Sequence, residues 1–330
     1  MSSQTLVSSS LRKALSQEKT PQSDQPTGTF FHEPVLVEEV VAFLDPKPGK
    51  IIVDGTLGGG GHAQRCLEAG AMVIGIDRDP AAVAYAKARL ADFGDRFLPL
   101  ESNYAKLQEQ LQEIGVQQVD GILLDLGVSS YQLDTAERGF SFQQEGPLDM
   151  RMGKSSQTAA QLLNTATEEE LSSLFREYGE EPRARAMARK ILQARERYSL
   201  RTTTQLAALL ALGVPRGPRH PATRVFQALR IAVNEEMKFL EATLPQLPKV
   251  LVAGGSLAII TFHSLEDRLV KRFLQQHSAS WLDDPSWPAP RPNPQCLFTL
   301  PKNWSLKATA GEVANNPRAR SARLRLAKRC

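Results

Sequence analysis

Four short apolar runs, each handing over to a stretch of helical period, constrain this chain more than any other feature. They are Lys50–Asp54, Ala71–Asp77, Arg96–Glu101 and Val119–Asp125. Between them, His62–Ala69, Pro80–Phe93 and Tyr104–Ile114 carry apolar residues at helical spacing. This alternation predicts a parallel sheet covered on both faces, because each parallel crossover lays a helix over the sheet. Three of the four runs end in aspartate, and the C-terminal edge of such a sheet is where ligands bind. Pro80 fits the first turn of a helix, where its missing N–H costs nothing. Pro99 fits the third run less well.

The rhythm then stops. From about Ser156 to Leu247 the period is helical throughout, with helices expected at Glu181–Tyr198, Thr202–Leu212 and Thr223–Leu244. Thr167 with Glu170 reads as a capping box. A strand returns at Gly255–Phe262, followed by a helix over Leu265–His277. The proline-rich Trp281–Asn303 reads as a loop, and the alternating Ser321–Ala327 suits an edge strand. Upstream, Val35–Leu44 reads as an amphipathic helix closing at Pro46. Residues 1–28, rich in Ser, Thr, Gln and Pro, are expected to be a disordered tail. The expected organisation is an α/β domain in two segments, 29–135 and 245–330, with an all-helical insertion over 136–244.

Of 330 residues, 42% are hydrophobic and 23% charged, which suits a soluble protein with a real core. No apolar run approaches the ~18 residues a membrane span needs, and the start lacks a secretory apolar centre. Cys66, Cys296 and Cys330 lie far apart, which argues against disulfides and a cysteine zinc site. A cytoplasmic setting is expected. The net charge of +4 is concentrated at the end: Pro317–Cys330 holds six Lys or Arg and no acid, which favours a polyanionic partner.

The loop Asp54–His62 reads D-G-T-L-G-G-G-G-H between a strand and a helix. Glycines let a ligand lie against bare main chain, and the helix start presents free N–H groups. Asp77 ends the next strand, where a carboxylate can accept both hydroxyls of a ribose. A nucleoside ligand is therefore expected. Asp54 would repel a pyrophosphate, whereas Asp54, Asp77 and Asp125 together suit a cation. S-adenosylmethionine, with its ammonium and sulfonium, satisfies this better than NAD.

At this point the residues carry a resemblance. H-E-P-V-L at His32–Leu36, the loop Asp54–Ala63, D-R-D-P at Asp77–Pro80 and D-G-I-L-L-D-L-G-V-S-S at Asp120–Ser130 resemble successive motifs of one family. R-G-F-S-F at Arg138–Phe142, G-P-L-D-M-R-M at Gly146–Met152, F-H-S-L-E-D-R at Phe262–Arg268 and N-P-R-A-R-S at Asn316–Ser321 continue the set. The family is that of the bacterial 16S ribosomal RNA (cytosine-N4)-methyltransferases, RsmH or MraW type. The resemblance implies a class I, Rossmann-like S-adenosylmethionine-dependent methyltransferase fold with an all-helical insertion domain. It implies methylation of the exocyclic N4 of one cytidine in the P-site region of the small ribosomal subunit. It places cofactor contacts at Gly60, Gly61, His62, Asp77, Tyr104, Asp125 and Gln132, and it leaves a homodimer open. The [DNS]-P-P-aromatic signature of many amine methyltransferases is missing after Asp125, so Phe140 or Phe142 is a candidate for stacking the base.

Methylating an exocyclic amine needs an acceptor for its proton, for which Asp125 and Ser129 are the candidates. His62 and His263 each sit at a strand–helix turn and read as helix caps, so no metal is expected. RNA contacts are expected from Arg183 and Arg185 on one insertion helix, Arg219 and Arg224 at the start of another, and Arg318 and Arg320 near the end. An NAD-dependent oxidoreductase and a non-catalytic RNA-binding assembly factor stand as alternatives.

Overall fold

The computed structural model describes residues 34–153, 157–215, 217, 220–283 and 286–330. The tail 1–28, the motif residues His32 and Glu33, and Arg219 lie outside the described residues. The described chain divides into two compact units, one ending at Gly127 and resuming at Phe239, the other Val128–Lys238.

In the first unit, α1 (Val37–Leu44) precedes β1 (Ile51–Asp54), α2 (Gly61–Glu68), β2 (Met72–Asp77), α3 (Pro80–Arg89), β3 (Phe97–Glu101), α4 (Leu107–Glu113) and β4 (Val119–Asp125). These are the anticipated strands and helices, shorter by a residue or a turn. The second unit contains α5 (Ser130–Asp134), α6 (Ala159–Thr165), α7 (Glu168–Glu177), α8 (Ala184–Arg195), α9 (Thr203–Ala211) and α10 (Thr223–Asn234), and among its described residues no strand of the sheet. The helix α11 (Glu236–Thr243) leads back to the first unit, which adds α12 (Leu247–Val250), β5 (Leu251–Thr261) and α13 (Ser264–Ser278). Short strands β6 (Trp281–Leu282), β7 (Arg291–Pro292), β8 (Phe298–Thr299) and β9 (Ser305–Lys307) follow, then α14 (Ala310–Asn315) and β10 (Arg323–Arg329).

The strand order is β3-β2-β1-β4-β5-β10-β8, with β9 also paired to β10. β1 through β5 run parallel and β10 runs antiparallel to β5. This is a doubly wound α/β sheet with one reversed strand, the expected class I methyltransferase arrangement. Alternation along each strand serves both faces. Val53, Ile74, Ile122, Leu124 and Ile259 enter one buried cluster, while Ile52, Val73, Leu123, Ala258 and Ile260 enter another. The second unit has a core of its own, built on Leu163, Leu171, Phe175, Ile191, Leu206 and Leu229.

Several expectations need correction. Ser321–Ala327 is not an edge: β10 lies between β5 on one side and β8 and β9 on the other. The loop expected over Trp281–Asn303 holds three two-residue strands. The helix expected over Thr223–Leu244 breaks at Glu235, whose φ is 49°. The buried Asn234 amide explains the break: its Oδ1 accepts the Met152 N–H at 2.7 Å, and its Nδ2 donates to Met150 O at 2.7 Å. Pro99 is tolerated because β3 pairs only with β2. Burial raises the Cys330 thiol, and Cys296, remote in sequence, adds to the shift. No helix among the described residues is long and apolar enough to cross a membrane.

Candidate active site

The register of the parallel strands aligns their C-terminal ends, and with them the acids. Asp54, at the end of β1, pairs with Gly75 of β2 and Leu123 of β4, and Asp77 and Asp125 lie two residues beyond those partners. The glycine loop turns back over this edge. The Gly55 N–H donates to Leu123 O at 2.9 Å, and the Leu57 N–H to Ile76 O at 3.0 Å. Leu57 packs so closely over β2 that a Cβ on Gly75 would lie 2.7 Å from its side chain. At the far end of the loop Gly60 takes φ 74° as the N-cap of α2, a conformation that favours glycine. Arg89 braces the loop from α3, its Nη1 donating to Gly59 O at 2.9 Å.

Asp77 is held as an oriented carboxylate. Its Oδ2 accepts the Gly58 N–H at 2.8 Å and its Oδ1 accepts the Asp79 N–H at 2.9 Å. Each oxygen keeps a further lone pair, which suits two ribose hydroxyls. Burial lifts the Asp77 carboxyl to about 6, against the pull of those two N–H groups. Tyr104 follows β3; a Cβ added at Gly55 would lie 3.5 Å from the Tyr104 Cβ and 2.6 Å from the Leu124 side chain. The loop, Asp77 and Tyr104 are thus assembled by one unit.

His62 is the largest departure from the sequence reading. It caps nothing: Gly60 is the N-cap, and His62 is the second residue of α2, buried to 4% exposure. Neither ring nitrogen has a hydrogen-bond partner among the described residues, although Nε2 lies 3.5 Å from Asp125 Oδ2. Asp125 Oδ1 is likewise buried without a partner. The Asp54 carboxyl is pushed up to about 7, first by burial, with His62 the neighbour that most opposes the shift. An imidazole and a carboxylate oxygen with unmade hydrogen bonds, beside a second buried carboxyl, are costly to bury without a ligand. A ligand that is cationic and carries donors fits this donor set.

His263, by contrast, is a cap. Its Nδ1 accepts the Glu266 N–H at 3.4 Å, while the Glu266 carboxylate accepts the Phe262 and His263 N–H groups at 2.8 and 3.3 Å.

Several of the remaining candidates stand in the second unit. Ser129 is the N-cap of α5, its Oγ accepting the Gln132 N–H at 3.3 Å while Gln132 Oε1 accepts the Ser129 N–H at 3.0 Å. The motif pair Ser129 and Gln132 is therefore a capping box, and Gln132 is buried. Phe140 is buried in the core of this unit, whereas Phe142 is half-buried, its ring 4.8 Å from both His220 and Phe226. Arg185 and Arg189 both reach Glu168, at 3.0 and 2.9 Å, and Arg183 lies 3.8 Å from Glu181. The basic face of α8 is thus partly neutralised. Arg224 is half-buried in the first turn of α10.

In the first unit Arg318 and Arg320 lie on a short 3-10 turn, Pro317–Ser321, capped by Asn316. Further along, Arg325 forms a two-point pair with Asp267 at 2.8 and 3.0 Å. The acid-free end of the sequence therefore finds its counter-charge on α13. Thr56 is the site residue that sequence reading missed. Its Oγ1 accepts the Asp125 N–H at 2.5 Å, and only its place in the loop, two residues after Asp54, hinted at a role.

Comparison with known proteins gives concordant results. The MraW methylase family matches residues 29–330. The ribosomal RNA small subunit methyltransferase H of Anaeromyxobacter sp. (strain K) is 50% identical over 300 residues, covering 90% of this chain and 97% of that protein. Its namesake from Syntrophotalea carbinolica is 49% identical over 308 residues, covering 91% and 98%. That of Geobacter sulfurreducens is 48% identical over 315 residues, covering 91% and 99%.

Proposed function

This chain belongs to the MraW methylase family, and from that premise we propose that it methylates 16S ribosomal RNA of the small ribosomal subunit, with S-adenosylmethionine as methyl donor. The target in this reading is the exocyclic N4 of a cytidine in the P-site region. The observation that carries it is the acidic strand edge: Asp54, Asp77 and Asp125 around a glycine loop, with a buried imidazole lacking partners. Three carboxylates at this edge favour a cationic nucleoside and disfavour the pyrophosphate of NAD. Relatives at 48 to 50% identity named for small-subunit rRNA methylation support the substrate class.

Bound there, the cofactor supplies an electrophilic methyl group. The chain's own residues do the rest. Asp77 would accept hydrogen bonds from the ribose hydroxyls, Tyr104 would offer a face for the adenine, and the loop at Gly60, Gly61 and His62 would hold the remainder. Asp125 accepts the proton of the attacking amine, which concentrates electron density on a nitrogen otherwise delocalised into the cytosine ring. Ser129 shapes the turn that follows by capping α5. Holding the amine in line with the methyl group contributes roughly 7–11 kcal/mol. RNA is gathered by cations on both units, Arg183, Arg185 and Arg224 on one, Arg318 and Arg320 on the other. The protein works in the cytoplasm.

The direct test is transfer of tritium from labelled S-adenosylmethionine to small subunits purified from a strain lacking this gene. Label in the 16S RNA is expected. Absence of label, together with tight NADH binding, would favour the oxidoreductase. Tight RNA binding without label would favour the assembly factor.

A further inference from the structure

Two residues of the glycine loop lie against Asp125, one of them through a hydrogen bond. Thr56, two residues into the loop, takes the Asp125 N–H on its hydroxyl at 2.5 Å. His62, at the end of the loop, brings Nε2 to 3.5 Å from the Asp125 carboxylate. No strand pairing requires the first contact, since β1 and β4 pair only as far as Asp54 and Leu123. On its other side β4 stays paired with β5 as far as Asp125 and Ile260; toward the loop, the Gly55 N–H donates to Leu123 O and Thr56 receives the Asp125 N–H, the loop contact nearest the carboxylate. The carboxylate of Asp125 is about a quarter exposed, while His62 behind it is buried.

We propose that Thr56 is a positioning residue for methyl transfer, fixing the main chain of Asp125 where His62 flanks its carboxylate, so that the proton acceptor is aligned by the same loop that holds the methyl donor. This rests on the methyltransferase reading above. In the step it serves, the bond from N4 to the methyl carbon forms as the carbon–sulfur bond breaks, its electron pair going to sulfur. The N4–H bond breaks with its pair staying on nitrogen, and the proton passes to Asp125 Oδ2. Thr56 and His62 neither gain nor lose a proton. A hydroxyl at position 56 can accept the Asp125 N–H; an isosteric methyl cannot, so the strand end loses its loop-side tie at Asp125 and keeps only its pairing with β5. A displacement near 1 Å costs catalysis up to about a hundredfold.

The test compares Thr56→Val with Thr56→Ser in the full-length protein. Expected for Thr56→Val is a fall in kcat of about 10- to 100-fold, with KM for small subunits and calorimetric cofactor affinity changed less than about threefold. Thr56→Ser, which keeps the acceptor, is expected to restore kcat to within about threefold of wild type. In an amide NMR spectrum the Asp125 N–H should move upfield in Thr56→Val and stay in place in Thr56→Ser. The proposal is overturned if Thr56→Val lowers cofactor affinity as much as kcat, if serine fails to rescue, or if kcat is unchanged. Should Thr56→Val not fold, His62→Gln carries the test: a kcat loss exceeding the affinity loss supports the proposal, and the reverse refutes it. If the wild type transfers no methyl group, the functional reading falls instead, and the Asp125 amide shift still decides the contact.

Discussion

Burial lifts the Asp54 carboxyl to about 7 and the Asp77 carboxyl to about 6, so the folded chain holds protons at a pH where the unfolded chain has released them. At these two sites the native state therefore holds more protons than the unfolded state from about pH 4 upward, and their contribution to stability falls as pH rises through that window. Below it both states are protonated; above about 7 the full penalty is present. A cation bound beside these carboxylates favours their ionised forms, so the sign for cofactor affinity is opposite. Without cofactor, the melting temperature of the wild type should drop between about pH 4 and about pH 7, and Asp54→Asn should flatten that drop. Cofactor affinity should rise over the same range. A wild-type melting curve as flat as that of Asp54→Asn would show that Asp54 is ionised throughout. Of these residues, the place of Asp77 was legible in the sequence, because it ends the strand that follows the glycine loop. Burial of His62 was not, since a histidine at a strand–helix turn looks the same whether it caps or faces inward. The hold of Thr56 on Asp125 depends on two strand ends brought together over 69 positions.

At the scale of elements, apolar runs closed by acids made the parallel strands readable, because buried strands need both faces apolar. Two-residue strands are defined by their partners rather than by their own pattern, which hid β6, β7 and β8 and made β10 look like an edge. The break at Glu235 was hidden for a different reason: the apolar period runs through it, and the cause lies in distant main chain. Asn234 satisfies Met150 O and the Met152 N–H with one buried amide. Asn234→Ala should strand both groups and cost about 3 kcal/mol in a urea unfolding experiment. A loss below about 1 kcal/mol would mean that water or a rearranged turn takes over the amide's role.

For the whole molecule, the charge that composition placed at the end of the chain is redistributed by the fold. Arg325 is spent on Asp267, and Arg185 and Arg189 share Glu168, so their pull on a polyanion is reduced. If Arg318 and Arg320 contact phosphates, replacing both with Ala should lower the salt slope of subunit binding by about 1.5. Arg185→Ala with Arg189→Ala should lower it less. Equal effects in a filter-binding series across salt concentrations would refute that ranking. The central claim, that the acidic strand edge delivers a methyl group to a ribosomal amine, is tested most directly by nucleoside mass spectrometry. Small subunits from a strain lacking the gene would be treated with S-adenosylmethionine and either wild-type protein or Asp125→Asn, and the 16S RNA digested. The account predicts N4-methylcytidine with wild type and a large loss with Asp125→Asn at saturating cofactor. No new methylated cytidine with wild-type protein, or equal yields from both proteins, would contradict it.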